Sequence, residues 1–141
     1  MEFMTAFRIC GSGLAAQRAK MDVVVSNIAN ANTTKTSEGG PYTRKVIVLS
    51  SIPVASDFDD DLKDALRMVK VEGVVEDTGG VRMVFNPAHP DANGEGFVAM
   101  PDINTVTEMA DMIMVSRAYE ACVTAFDTTK SMALKTLEIG K

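Results

Sequence analysis

Residues 105–139 read TVTEMADMIMVSRAYEACVTAFDTTKSMALKTLEI, a stretch with no proline and no glycine. Thr105, Met109, Met112, Ser116, Tyr119, Val123, Phe126, Lys130, Ala133 and Leu137 recur in it at alternating steps of four and three. That is the heptad spacing with which one helix lies along another. Asn104 stands where an N-cap is wanted, and Glu108 falls in the first turn, where the helix dipole favours an acid. The spacing predicts a helix from Thr105 to Ile139, about 50 Å long. No globule of 141 residues needs so long a helix for its own core.

The other end of the chain carries the same signal. Phe3, Phe7, Cys10, Leu14, Met21, Val24 and Ile28 follow the four-three spacing, with Gln17 as the polar member of the series. A helix from Phe3 to Ala29 is expected. Gly11 and Gly13 weaken it by roughly 1 kcal/mol each relative to Ala, and mark a kink or a close approach of backbones. Two such helices can form a hairpin within one chain, pack on neighbouring chains, or both.

Between them the pattern changes. Asn30 to Thr34 is a polar stretch that ends the helix, and Gly39-Gly40-Pro41 is a turn. Strands are expected at Tyr42–Ser50, Met68–Val75, Val81–Phe85 and Phe97–Met100, with Thr78-Gly79-Gly80 as a hairpin turn joining the second to the third. Asp57 to Asp61 is an acidic run, read as a solvated loop or helix start. The fold class that follows is α+β. Long N- and C-terminal helices form an antiparallel coiled-coil stalk, with a small β-rich middle domain. The expected divisions are 1–32 for the N-terminal helix, 33–101 for the β-rich region with an irregular loop near 51–68, and 102–141 for the C-terminal helix.

Composition narrows the function. The net charge is −5, which gives no electrostatic reason to bind nucleic acid. No apolar run is long enough to span a membrane, so direct membrane insertion is not expected. Glu2 and Arg8 leave the N-terminus without the basic start and apolar stretch of a cleaved secretory signal. The 10 methionines suit either a core with irregular gaps or a surface that packs against several neighbours. Cys10 and Cys122 lie far apart and belong to no metal-binding pattern. They form one disulfide in an oxidising compartment, or serve as two small buried hydrophobes.

Candidate chemistry is sparse. His89, between Pro87 and Pro90, has no nucleophile motif to serve and reads as structural. Asp91, Asn93, Glu95, Gly96 and Asp102 partly match an EF-hand loop, but Pro87, Pro90 and Pro101 oppose its flanking helices. Gly11-Ser12-Gly13 follows no strand and cannot be a dinucleotide turn. No catalytic residue, metal ligand or cofactor is expected.

Longer motifs then come into view. Ser12-Gly-Leu-Ala-Ala-Gln-Arg-Ala-Lys-Met-Asp-Val, followed by Asn27-Ile-Ala-Asn30 and Thr33, resembles the N-terminal signature of the flagellar rod and hook axial proteins. Gly39-Gly-Pro-Tyr-Thr-Arg44, Asn86-Pro-Ala-His-Pro-Asp-Ala92, Gly96-Phe-Val-Ala-Met-Pro101, Glu108-Met-Ala-Asp-Met112 and Ser116-Arg-Ala-Tyr-Glu120 are similar to the short proximal-rod members of that family. So are Lys130-Ser-Met132 and Leu137-Glu-Ile-Gly140, and the resemblance runs through nearly the whole chain. Cys122 departs from it, since the family more often carries Asn there.

The resemblance implies a structural subunit, exported by the flagellar type III apparatus without a cleaved signal. It would assemble in the periplasmic part of the basal body into the torque-transmitting rod, with copies of itself and other rod subunits as partners. On that reading Leu14, Met21, Val24, Ile28, Met109, Met112, Tyr119, Val123, Phe126 and Leu137 face partner helices. Asn27 and Asn30 end the first helix and fix the loop that carries Gly39, Gly40, Pro41 and Tyr42. With the helices antiparallel and Ile28 near Thr105, Cys10 would lie beside Cys122 and could form the disulfide, the alternative being two unpaired thiols. Two other functions remain to be weighed: a secreted peptidoglycan-cleaving enzyme, and a calcium-responsive helical adaptor.

Overall fold

The computed structural model describes residues 2–37, 39–54, 66–77 and 79–139. Helix α1 spans Glu2–Ala29 and helix α2 spans Thr105–Ile139. Asn104 caps α2, its Oδ1 accepting the amides of Val106 at 3.0 Å and Thr107 at 3.3 Å. Strands β1 (Lys45–Pro53), β2 (Arg67–Glu76), β3 (Val81–Phe85) and β4 (Phe97–Pro101) lie between the helices. Among the described residues no helix is long and apolar enough to cross a membrane.

The two helices pack on each other, antiparallel. Asn27 near the end of α1 meets Glu108 at the start of α2, while Phe7 near the start of α1 stacks on Phe126. Those rings lie 4.9 Å apart at 59°. Between these points Cys122 Sγ sits 3.4 Å from where a Cβ on Gly13 would be. A side chain at position 13 would thus meet the Cys122 sulfur across the helix pair.

The positions buried between the helices differ in part from the series of large apolar residues, with Val24 common to both. The buried positions are Ala16, Val24 and Asn27 on α1, and Glu108 and Val115 on α2. Gln17, Ile28, Met109 and Ser116 lie one residue further on and flank the seam. Ala16, Val24 and Val115 share the centre with the paired polar side chains of Asn27 and Glu108, while Met109 and Met112 stay exposed.

Strands β1 and β2 form an antiparallel ribbon, with Lys45 opposite Glu76 and Pro53 opposite Arg67. The register shifts after Val48, which faces Gly73, because Leu49 faces Val71 and Glu72 is left over as a bulge. Ser50 Oγ bridges to the Glu72 carboxylate there at 2.6 Å. The ribbon lies along α1. Asn27 holds its Lys45 end, and Ser12 Oγ accepts the Val69 amide at 3.2 Å at the other. Fifteen helical residues from Ser12 to Asn27 rise about 22 Å. Six strand steps from Lys45 to Ser51, which faces Val69, cover about 20 Å. The two lengths agree, so the ribbon is a strap matched to its helix.

Three expectations change. β1 begins at Lys45 rather than Tyr42, because residues 42–44 are engaged by α1 and the loop after it. Residues 51–53 and 67–68, expected in an irregular loop, belong to the ribbon, and the Val54 amide extends it by bonding the Leu66 carbonyl at 3.0 Å. Residues 55–65, with the acidic run Asp57 to Asp61, lie outside the described residues, as do Thr78 and Gly140.

The second and third strands, moreover, are not a hairpin. Among the described residues the middle holds two separate two-stranded ribbons, β1–β2 and β3–β4. β3 takes its partner from across residues 86–96, running from Val81 opposite Pro101 to Phe85 opposite Phe97. Asn93 makes this possible. Its Oδ1 accepts the amides of Glu95 at 3.0 Å and Phe97 at 2.8 Å, which closes the turn. Gly96 has φ +82°, and a Cβ there would stand 3.0 Å from the Phe85 ring, so the position requires glycine. Val98 is fully buried, while Val81, Met83 and Phe85 line the outer face of β3.

Candidate functional site

Asn27 is the centre of a buried polar cluster that joins three parts of the chain. It is only 1% exposed. Its Nδ2 donates to the Lys45 carbonyl at 2.9 Å and to Glu108 Oε2 at 3.1 Å. Its Oδ1 accepts the Lys45 amide at 2.9 Å and the Tyr42 hydroxyl at 3.2 Å. A side-chain amide offers two donors and two acceptor sites, and here all are used.

Glu108, 2% exposed, receives the other half of the cluster. Its Oε1 accepts Arg44 Nε at 2.8 Å and pairs with Arg44 Nη2 at 2.7 Å. Arg44 Nη1 reaches Asp77 Oδ2 at 3.4 Å, and the Arg44 carbonyl accepts the Asp77 amide at 2.7 Å. The hydrogen bond to Glu108, aided by its charge and by Asp77, raises the Arg44 pKa above its ordinary value against the opposing effect of burial. A carboxylate this far from water is tolerable only because donors surround it.

The loop after α1 delivers Tyr42 and Arg44 to this point. Asn30 Nδ2 bonds the Ser26 carbonyl at 2.9 Å, and Thr33 Oγ1 bonds Asn30 Oδ1 at 3.2 Å, which closes the helix end. Gly39 and Gly40 both adopt positive φ, +88° and +85°, and with Pro41 they reverse the chain. The Tyr42 amide then meets the Thr33 carbonyl at 3.1 Å, and its hydroxyl also lies 3.2 Å from Ser26 Oγ. Thr34 Oγ1 bonds Asp91 Oδ2 at 2.8 Å and ties the 86–96 turn to the same loop.

The residues expected at helix interfaces divide into two groups. Val24 is buried within the chain, Phe126 packs on Phe7, and Leu14, Met21 and Ile28 are half-buried. Met109, Met112, Tyr119, Val123 and Leu137 are exposed, Leu137 most of all at 71%. Val106, Ile113, Met114, Met132 and Leu134 are also exposed, so α2 presents apolar surface to solvent along its length. Both cysteines are free and half-buried, and Cys122 faces Gly13, one turn from Cys10.

Other candidate chemistry finds different employment. His89 Nδ1 accepts the Asp91 amide at 3.1 Å within its own turn. The EF-hand reading fails on geometry: β4 is extended from Phe97 to Pro101 and carries Asp102 about 20 Å from Gly96. Asn93 Oδ1 is already taken by two amides. Among the described residues no three His, Cys, Asp or Glu side chains are grouped to hold a metal.

The sequence reading missed Arg44, Asp77 and the true place of Glu108. One signal was available for the last. Glu108, Val115 and Cys122 repeat every seven residues, which sets the carboxylate on the inward stripe rather than merely at the helix start.

Comparison with known proteins agrees with this architecture. Residues 7–35 match the model of the flagella basal body rod protein family, and residues 95–139 match that of the flagellar basal body rod FlgEFG protein C-terminal region. These ranges hold Asn27 and Glu108. The chain is 41% identical to the flagellar basal-body rod protein FlgC of Bacillus subtilis, over 98% of this chain and 100% of that protein. It is 36% identical to FlgC of Salmonella typhimurium over the full length of both, and 35% identical to FlgC of Borreliella burgdorferi over 99% of this chain and 98% of that one. The likeness runs the full length of the chain, and the chain belongs to the FlgC family of flagellar basal-body rod proteins.

Proposed function

We propose that this chain is a structural subunit of the flagellar proximal rod, built into the drive shaft through the outward faces of its terminal helices. Membership of the FlgC family makes it a rod protein rather than an enzyme. The observation that carries the assembly reading is the unpartnered apolar side of α2. One side of that helix is spent on α1. Met109, Met112, Tyr119, Val123 and Leu137 on the rest are exposed. Contiguous apolar surface of this kind calls for a partner.

The finer points belong to the same proposal. Sustained four-three spacing supports coiled-coil packing of α1 and α2, with each other and with the helices of neighbouring copies and other rod subunits. Leu14, Met21 and Ile28 contribute from α1, and Phe126 from α2. The chain divides into helical parts at 1–32 and 102–141 and a β-rich part at 33–101. The flagellar type III apparatus exports it without a cleaved signal, and it works in the periplasmic rod. An unfolded chain passes a narrow channel and gains its helices by packing afterwards. In that oxidising compartment Cys10 and Cys122 lie close enough along the helix pair for a disulfide to be sought. Mass mapping of assembled rods without reductant tests it, and free thiols at both positions reject it. Incorporation of a Met112→Asp variant into rods tests the central point, since a charge in a packed seam blocks assembly.

A further inference from the structure

The seam between α1 and α2 has an unusual distribution of specificity. Between the Phe7–Phe126 contact at one end and Asn27 at the other, Gly13, Ala16 and Val24 of α1 and Val115 and Cys122 of α2 lie in or beside it. Small side chains present shallow ridges, and shallow ridges resist sliding poorly. Two fully buried side chains of α2 are Glu108 and Val115, and of these only Glu108 makes directional contacts. Asn27 cannot follow a sliding α2, because both ends of its amide are bonded to the Lys45 main chain.

We propose that Asn27, Arg44 and Glu108 are positioning residues that fix the register of α2 along α1, holding Cys122 opposite Gly13. A slip of one helical turn moves Glu108 by about 5.4 Å. Its carboxylate then leaves both Arg44 and the Asn27 amide while remaining within the helix pair, which is the costly state for a buried charge. The polar cluster thus supplies what the small-residue seam lacks, a penalty for the wrong register. A single buried polar contact is known to act this way between paired helices. The consequence reaches the surface. A slipped α2 would carry Met109, Met112 and Tyr119 one turn out of place relative to the β ribbons. The inference concerns the fold of the single chain and does not depend on the rod assignment.

The chain carries its own reporter of slippage. Cys10 is three residues before Gly13, about 4.5 Å along the axis and on nearly the same face. In the observed register Cys122 meets position 13, and after a slip of one turn it meets Cys10. The test uses the full-length chain and copper–phenanthroline oxidation, with bonds mapped by non-reducing mass spectrometry. With the cluster intact, Gly13→Cys in a Cys10→Ser background is expected to bond Cys122 about tenfold faster than the native Cys10 does. In the Asn27→Leu/Glu108→Leu variant with native cysteines, the Cys10–Cys122 bond should form about tenfold faster than in the native chain, with helical circular dichroism retained. Equal rates with and without the cluster overturn the proposal. So does a native Cys10–Cys122 bond that forms as fast as the bond from position 13. If the double variant loses its helical signal, Glu108→Ala is read in the same way. Loss of helicity in both would show that the cluster is needed for pairing itself and would overturn the register role.

Discussion

Asn27 and Glu108 stand 81 residues apart in sequence, yet their side chains share a 3.1 Å hydrogen bond out of reach of solvent. The same Asn27 also grips both main-chain groups of Lys45, where the first ribbon begins. The end of α1, the start of β1 and the start of α2 therefore meet at one side chain. Removing a member leaves a buried polar group of another short of a partner, and that is where single substitutions should cost most.

Asn27→Ala should destabilise the folded chain by roughly 2–4 kcal/mol, because it strands the Lys45 amide and one Glu108 oxygen together. Denaturant melts of the full-length protein measure this. A loss below about 0.5 kcal/mol, the ordinary range for surface changes, would mean the cluster contributes little.

Arg44→Met should cost roughly 2–3 kcal/mol. Breaking a fully buried ion pair costs roughly 3–5 kcal/mol. Arg44 keeps about a third of its side chain exposed, so solvent screens part of the loss. Adding Glu108→Met to the same chain should recover much of the stability, since two apolar groups leave no orphaned charge. A double variant less stable than Arg44→Met alone would contradict this.

Gly96→Ala should loosen the β3–β4 ribbon at a cost of about 1–2 kcal/mol from the positive φ, with more from the contact to Phe85. Amide hydrogen exchange should quicken at Phe85 and Phe97 while the helices keep their protection. Uniform loss of protection would show that the ribbon is not a separate unit.

Much of this fold was legible in the sequence, and the exceptions have physical causes. Helix α2 is readable end to end because nothing between Asn104 and Gly140 interrupts it. Residue size alone does not tell which face of α2 meets α1: Met109 and Met112 stay exposed, while Val115 and Glu108, its charge paired with Arg44, are buried. The second and third strands were joined wrongly because Gly79-Gly80 looks like a hairpin turn. β3 instead finds its partner across a turn closed by Asn93. Asn27, Gly39, Gly40 and Tyr42 were visible as motif residues, but their meeting point was not. Arg44 and Glu108 are 64 residues apart, and no local pattern links them.

The most direct test of the account is assembly of the Met112→Asp variant, read by mass spectrometry of purified hook–basal bodies. Met112 lies on the outward side of α2, 41% exposed, so the substitution should leave the melting of the isolated chain within about 0.5 kcal/mol of the native one. The account predicts native protein in the basal bodies at levels comparable to the other rod subunits, and the stable variant absent from them, with motility lost. Normal incorporation and motility of Met112→Asp would contradict the claim that the outward face of α2 builds the rod.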